Sequence, residues 1–169
     1  KALAGDEEPR VRVRIVTAAP EPRPSVGLEG LPAAFDGDGM WIWYLKSSED
    51  GDLDAIAARA KGAGMTTVFV KSADGATAWD QFSPEVVAGL KARGLRVCSW
   101  QFVYGQDPVG EAAAAARSVQ DGADCFVIDA ETQYEGKYAA AQRYLTALRA
   151  QIGANYPVGL TSFPYVDYH

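Results

Sequence analysis

A parallel (β/α) repeat is the fold class this sequence predicts, and three observations carry the prediction. Helix-stopping glycines recur at Gly64, Gly94, Gly122 and Gly153, about 30 residues apart, the length of one helix-plus-strand unit in a parallel sheet. The strand segments are continuous apolar runs rather than alternating ones, as strands covered on both faces require. Polar residues collect just after those runs, namely Lys71, Ser72, Asp74, Gln101, Tyr104, Asp129, Glu131, Ser162 and Asp167. Barrels and open parallel sheets both carry their sites there.

Residues 1–35 read differently from the rest, as an extended arm or linker. Gly5-Asp6-Glu7-Glu8-Pro9 is acidic, and Val11-Arg12-Val13-Arg14-Ile15-Val16 alternates with the period of one short half-exposed strand. Pro20, Pro22, Pro24 and Pro32 follow, favouring extended polyproline backbone over a packed element.

Residues 36–169 carry the repeat. Met40–Leu45 is the first strand, and a helix over about 52–61 follows with Leu53, Ile56, Ala57 and Ala60 at helical spacing. Thr66–Lys71 is the second strand. Ser83-Pro84-Glu85 opens the next helix with an N-cap, a proline at the first position and an acid in the first turn. Val86, Val87 and Leu90 form its buried face. Leu95–Val103 is the third strand, and Asp107-Pro108 starts a helix that runs through the alanines 112–116 to Val119. The fourth strand is Cys125–Ala130. Tyr138, Ala141, Tyr144, Leu145, Leu148 and Ile152 mark the fourth helix, and Pro157–Ser162 the fifth strand.

Five strands and four helices fit two architectures. One is an incomplete (β/α)₈ TIM barrel, since a full one takes about 250 residues and 200 is near the minimum. On this reading the chain is the first part of a longer barrel, and residues 162–169 form the loop after the fifth strand. The other is a complete, open, five-stranded doubly wound sheet. No Gly-x-Gly-x-x-Gly follows the first strand and no Walker loop is present, so nucleotide binding loses support.

Composition narrows the function classes. The chain is 48% hydrophobic and 22% charged with a net charge of −6, which argues against nucleic-acid binding. No apolar run approaches the roughly 20 residues that span a bilayer. His169 is the only histidine, so neither a Ser–His–Asp triad nor a histidine-based zinc site is expected. Asp36-Gly37-Asp38-Gly39 and Asp50-x-Asp52-x-Asp54 lack the glycine and terminal glutamate of a calcium loop. The second of these complements the N-terminus of the first helix instead. No metal or cofactor is expected. Cys98 and Cys125 lie in apolar strand runs and read as buried free thiols, with a disulfide only if neighbouring strands align them. The chain opens at Lys1 rather than Met, as it would if upstream sequence such as a signal peptide had been removed or were not included.

The sharpest chemical signal is Phe126-Val127-Ile128-Asp129-Ala130-Glu131. Strand residues i and i+2 face the same way, so Asp129 and Glu131 would leave the strand end together, about 6.5–7 Å apart. Paired carboxylates on one rigid edge suit glycosidic cleavage, one as proton donor and the other as base, nucleophile or charge stabiliser. An N-cap or loop-solvating pair is the plainer reading. Trp41, Trp43, Trp79 and Trp100 are candidate sugar-stacking faces, with core packing the alternative at strand positions.

Four segments together resemble the lysozyme-like glycoside hydrolases of family 25. Val68-Phe69-Val70-Lys71-Ser72-Ala73-Asp74-Gly75 is similar to their second strand. Gly94–Phe102 looks like their third, Phe126–Glu131 with its Asp-x-Glu pair like their fourth, and Pro157–Ser162 like their fifth. The resemblance covers about residues 40–165 in order and spacing. It implies an incomplete barrel that binds a polysaccharide such as peptidoglycan, outside the cell or in its envelope. Glu131 would be the general acid and Asp129 the stabiliser of developing positive charge. By their place at the strand ends, Lys71, Asp74, Gln101, Tyr104, Trp43 and Ser162 are expected to line the substrate site, with pairing to Asp129 or a plain strand-end cation the alternatives for Lys71. One departure stands out: that family carries an acid on the first strand, where this chain has Trp41-Ile42-Trp43-Tyr44.

Two functions therefore stand side by side. One is a glycosidase-like domain acting on or binding a polysaccharide. The other is a non-catalytic module of an extracellular assembly, joined through residues 1–35 to neighbouring subunits or to further sequence of its own chain.

Overall fold

The structure, a computed structural model, describes residues 32–162. The expected strand at 11–16, the proline-rich run up to Leu31, the loop beyond Ser162, Asp167 and His169 lie outside the described residues.

Five parallel strands lie in chain order across one sheet: β1 (Gly39–Ile42), β2 (Thr67–Asp74), β4 (Arg96–Val103), β5 (Cys125–Ala130) and β6 (Val158–Thr161). The two-residue β3 (Thr77–Ala78), absent from the sequence reading, folds back antiparallel on the end of β2. Four helices connect the parallel strands: α1 (Leu53–Gly62), α2 (Pro84–Ala92), α3 (Pro108–Gln120) and α4 (Tyr138–Ile152). Their starts are chemically specified. Asp52 accepts from the Asp54 and Ala55 amides, Ser83 from Val86, and Asp107 from Gly110, each cap contributing about 1 kcal/mol. The first strand is shorter than expected, because Leu45–Ser47 turns into a 3₁₀ helix and takes Trp43 and Tyr44 off the ladder.

The helices share one face of the sheet. Ile56, Val87 and Leu90 pack there on Val68, Val70 and Val97, while Tyr144, Leu148 and Ala115 pack on Val103, Phe126 and Ile128. Truncating a fully buried leucine such as Leu90 or Leu148 costs about 2–5 kcal/mol. A doubly wound sheet needs helices on both faces, so the open five-stranded alternative is set aside. The arrangement is an open, not fully closed portion of a (β/α)₈-type barrel.

The opposite face is the barrel interior, and register sorts it into levels. Trp41, Phe69, Cys98 and Cys125 share the lowest, then Lys71, Trp100, Val127 and Gly159, then Asp74, Phe102, Asp129 and Thr161. Phe35, from the 3₁₀ turn Ala33–Phe35, joins Trp100, Phe102 and Val127 on this face. A Cβ on Gly159 would stand 3.2 Å from its ring, so glycine is what lets Phe35 close in. Arg96 fixes the turn by donating to the Ala34 and Asp36 carbonyls. The apolar continuity of the strands thus reflects helices on one side and the chain's own aromatic residues on the other.

Cys98 and Cys125 are not free thiols. They are register partners on adjacent strands and form a disulfide, with Cα atoms 4.6 Å apart. The sequence could not pair them, because their alignment depends on the strands meeting in this register.

Candidate active site

The site lies where β2, β4 and β5 end. Its floor is set by an irregularity in β2. Lys71 pairs with Trp100, but Ala73 pairs with the very next residue, Gln101, leaving Ser72 as an extra residue. Such a bulge shifts every later side chain by one face. Asp74, rather than Ala73, therefore shares the interior level with Phe102 and Asp129. Ser72 steadies the bulge by donating to the Trp100 carbonyl.

Lys71 and Asp74 consequently face each other. The ammonium donates to Asp74 Oδ2 at 2.5 Å, and Tyr104 donates its hydroxyl to Oδ1 at 2.8 Å. Both carboxylate oxygens are committed within the protein, and Asp74 holds the Tyr104 phenol above its ordinary pKa by making its proton the bridging one. Lys71 is fully buried. Its ammonium stands 4.0 Å from the Trp43 ring centroid, 4.6 Å from Trp79, 5.0 Å from Trp100 and 5.9 Å from Phe102. Aromatic faces offset part of a buried cation's lost hydration. Lys71 was expected at the substrate; enclosed in this cage, it is instead the internal counter-charge of Asp74.

Gln101 is also not a lining residue. The residues of β4 that alternate with Cys98, Trp100 and Phe102 face the helices, as Val97 and Val103 do, and there the Gln101 amide donates to the Gly75 and Glu111 carbonyls and accepts from the Tyr144 hydroxyl. Every polar atom of that side chain is engaged, with none exposed.

Asp129 sits on the interior face and is 7% exposed. Burial first, and then the nearby Glu131 charge, push its pKa up to about 6, against the opposing pull of Lys71. Glu131 lies just past the strand, heading the 3₁₀ turn Thr132–Tyr134, and is partly exposed. It borders a cavity of about 390 Å³, lined also by Ile128, Tyr134, Leu145, Leu160 and Ser162. Ile128 packs on the helix side of the sheet and Leu160 is its register partner, so this cavity does not lie on the interior face. The two acids thus sit close enough to interact, yet one is enclosed while the other lies at a rim. A common open groove for both, as simple alternation suggested, is not what the backbone builds, because the strand ends at Ala130.

Residues without a sequence signal complete the rim. Gln81 donates to the Trp43 and Lys71 carbonyls and accepts from the Leu45 amide. It ties the end of β1 to β2 and brings Tyr44 against Trp79, rings 5.4 Å apart and 17° from parallel. Glu111, wholly buried, accepts from the amides of Tyr104, Gly105 and Gln106. It shapes the loop that presents Tyr104. Both look like ordinary surface polar residues in the linear sequence, and nothing in their spacing marks them. Trp43 is 46% exposed at this rim.

No protein-family model matches the chain, and no curated protein sequence matches it. Its backbone is similar to the catalytic domain of endolysin ply40 from bacteriophage P40 of Listeria monocytogenes, with a TM-score of 0.52 and 19% identity over 72% of this chain and 62% of that one. It is also similar to a family 25 glycosyl hydrolase from Bacillus anthracis, with a TM-score of 0.53 and 18% identity over 71% of this chain and 58% of that one. The chain spans less than two thirds of either structure. At such identities the likeness is one of fold, that of the lysozyme-like family 25 hydrolases.

Proposed function

We propose that this chain is a glycoside hydrolase-like domain that acts on a polysaccharide of the peptidoglycan kind. The observation that carries the reading is the coupled pair Asp129 and Glu131 at the end of β5, where burial and the neighbouring charge raise Asp129 to about 6. Glycosidases rely on two carboxyls held in unlike environments. Glu131, at the rim, would protonate the leaving glycosidic oxygen. Asp129, ionised and within electrostatic reach of Glu131, would stabilise the positive charge that develops on the sugar ring. It does so through space, as its burial requires, and low surrounding polarity strengthens that effect. Asp74 pairs with Lys71, and the pull of that cation on Asp129 is outweighed by burial and the Glu131 charge. Trp43 would offer an aromatic face to the sugar, and Tyr104 and Ser162 polar contacts nearby.

The disulfide supports a location outside the cell or in its envelope, since such bonds persist in oxidising compartments. The fold likeness to a phage endolysin domain agrees with that location.

The deciding experiment is turnover of purified peptidoglycan by the chain and by Glu131→Gln. A loss of at least about 100-fold, with an unchanged melting curve, is the expected result. Equal turnover would remove Glu131 from the mechanism. The enclosure of Asp129, together with the acid-free stretch Trp41-Ile42-Trp43-Tyr44 on which the resemblance implied an acid, favours a second reading as a non-catalytic assembly module. On that reading residues 1–35 do the joining, and their deletion abolishes assembly; a truncated protein that assembles normally rules it out.

A further inference from the structure

Building on the polysaccharide reading above, we infer that Tyr44 and Trp79 form a separate sugar-binding position, an aromatic ledge that extends the site across the ends of β1 and β3. Its ligand is a pyranose ring of the same glycan, held some way along the strand from the residue that faces Glu131. Neither aromatic follows from the carboxylate chemistry, and Tyr44 is not on a strand at all.

The ledge is built and held. Trp79 donates its amide to the Ser72 carbonyl at 2.8 Å, which anchors it to the bulge of β2. Gln81, two residues on, fastens the opposite side by its three bonds to Trp43, Leu45 and Lys71. One glutamine thus sets the spacing between the two chain segments that carry the rings. Within that frame the Lys71 ammonium lies 4.6 Å from the Trp79 centroid, and Tyr44 stacks on Trp79 at 5.4 Å. Tyr44 ends this stack and is 55% exposed. Trp43 lies beside it, its centroid 6.3 Å from Tyr44 and its plane tilted by 40°.

The chemistry of this surface selects its occupant. A large ring left open to water while fixed in place has paid its ordering cost before any ligand arrives. Pyranoses offer a flat C–H face to such a ring and hydroxyls to the surroundings. Ser48, four residues on, donates its hydroxyl to the Tyr44 carbonyl, and Asp80, fully exposed, follows Trp79 and lies 4.0 Å from Arg117. An aromatic plate with polar and charged groups close to it in the chain matches a sugar better than a peptide's apolar side chain, which would take those groups out of water.

A ledge away from the reacting pair is felt by long glycans and ignored by short ones. The test uses Glu131→Gln protein, so that nothing is consumed, and soluble β-1,4-linked N-acetylglucosamine oligomers of two to six sugars. Affinities are read by calorimetry, beside the same protein carrying Tyr44→Ala or Tyr44→Phe. The expected result is a roughly three- to tenfold loss for the longest oligomers in Tyr44→Ala, from the loss of one aromatic contact. The two-sugar ligand is unaffected, and Tyr44→Phe, which keeps the ring, restores the affinity. Equal affinity of Tyr44→Ala for every length overturns the ledge, whether or not Glu131 proves catalytic. Length-dependent binding that requires Tyr44, in a protein that cleaves nothing, upholds the ledge and defeats only the hydrolase reading. Failure of every oligomer to bind the parent protein overturns the ledge as well.

Discussion

The Lys71 ammonium lies 4.0 Å from the centre of the Trp43 ring, beneath an aromatic residue that is itself almost half exposed. A buried charge and a half-exposed aromatic face therefore share one indole. The geometry arises because the bulge after Lys71 brings Asp74 to the interior face, where it can neutralise the cation. The positive end of Lys71 is thus enclosed by the aromatic rings of the rim and paired with Asp74.

Shortening Lys71 should therefore cost more stability than removing its charge. Lys71→Ala removes Asp74's cation and empties the cage as well, with an expected loss of about 3–5 kcal/mol. Lys71→Met keeps the volume, and Asp74 retains Tyr104 and some solvent, so the loss should be less than half of that. Urea denaturation of both variants checks the order. Equal losses would show that charge, not filling, holds the rim.

Asp129 sets two pH dependences of known sign. Its pKa is raised from the ordinary carboxyl value of 3.8 to about 6, so the folded protein holds the proton more tightly than the unfolded chain. Stability is then greatest below about pH 4 with respect to this group and falls as pH rises through 6. Asp129→Asn should remove that slope. If ionised Asp129 stabilises the transition state, kcat/KM should rise through about pH 6 in the parent protein. A fall over the same range would make Asp129 the proton donor.

The disulfide closes a loop with a sequence separation of 27. Constraint of the unfolded chain over such a loop is worth about 3.5 kcal/mol. The double variant Cys98→Ala, Cys125→Ala should lose stability of that order, measured by denaturant unfolding, while keeping the same far-ultraviolet circular dichroism.

Glu111 is expected to control the Tyr104 loop. Glu111→Gln preserves its shape but loses the charge that three amides point at, at a cost of about 1–3 kcal/mol. Hydrogen exchange at Tyr104, Gly105 and Gln106 should quicken while exchange in α4 does not change.

Much of the fold was legible in the residues. The caps Asp52, Ser83 and Asp107 act locally, so their helices start where side-chain chemistry places them. The glycine period likewise gave the (β/α) repeat, because one unit has nearly fixed length. Alternation failed at the strand ends. It took no account of the bulge at Ser72, which turned Asp74 inward, or of the end of β5 at Ala130, which parted Glu131 from the face of Asp129.

What the sequence determined by itself is therefore whatever depends on neighbours a few positions away: element order, helix caps, parallel class and the strand end that carries the two acids. Tertiary structure alone decided which face is interior, that Cys98 meets Cys125, that Lys71 is caged, and that Gln81 joins Tyr44 to Trp79. The reason is physical. Those outcomes depend on sheet register and on contacts between distant segments, such as Cys98 with Cys125 across 27 residues and Leu45 with Gln81 across 36, and no local spacing encodes where two distant strands will align.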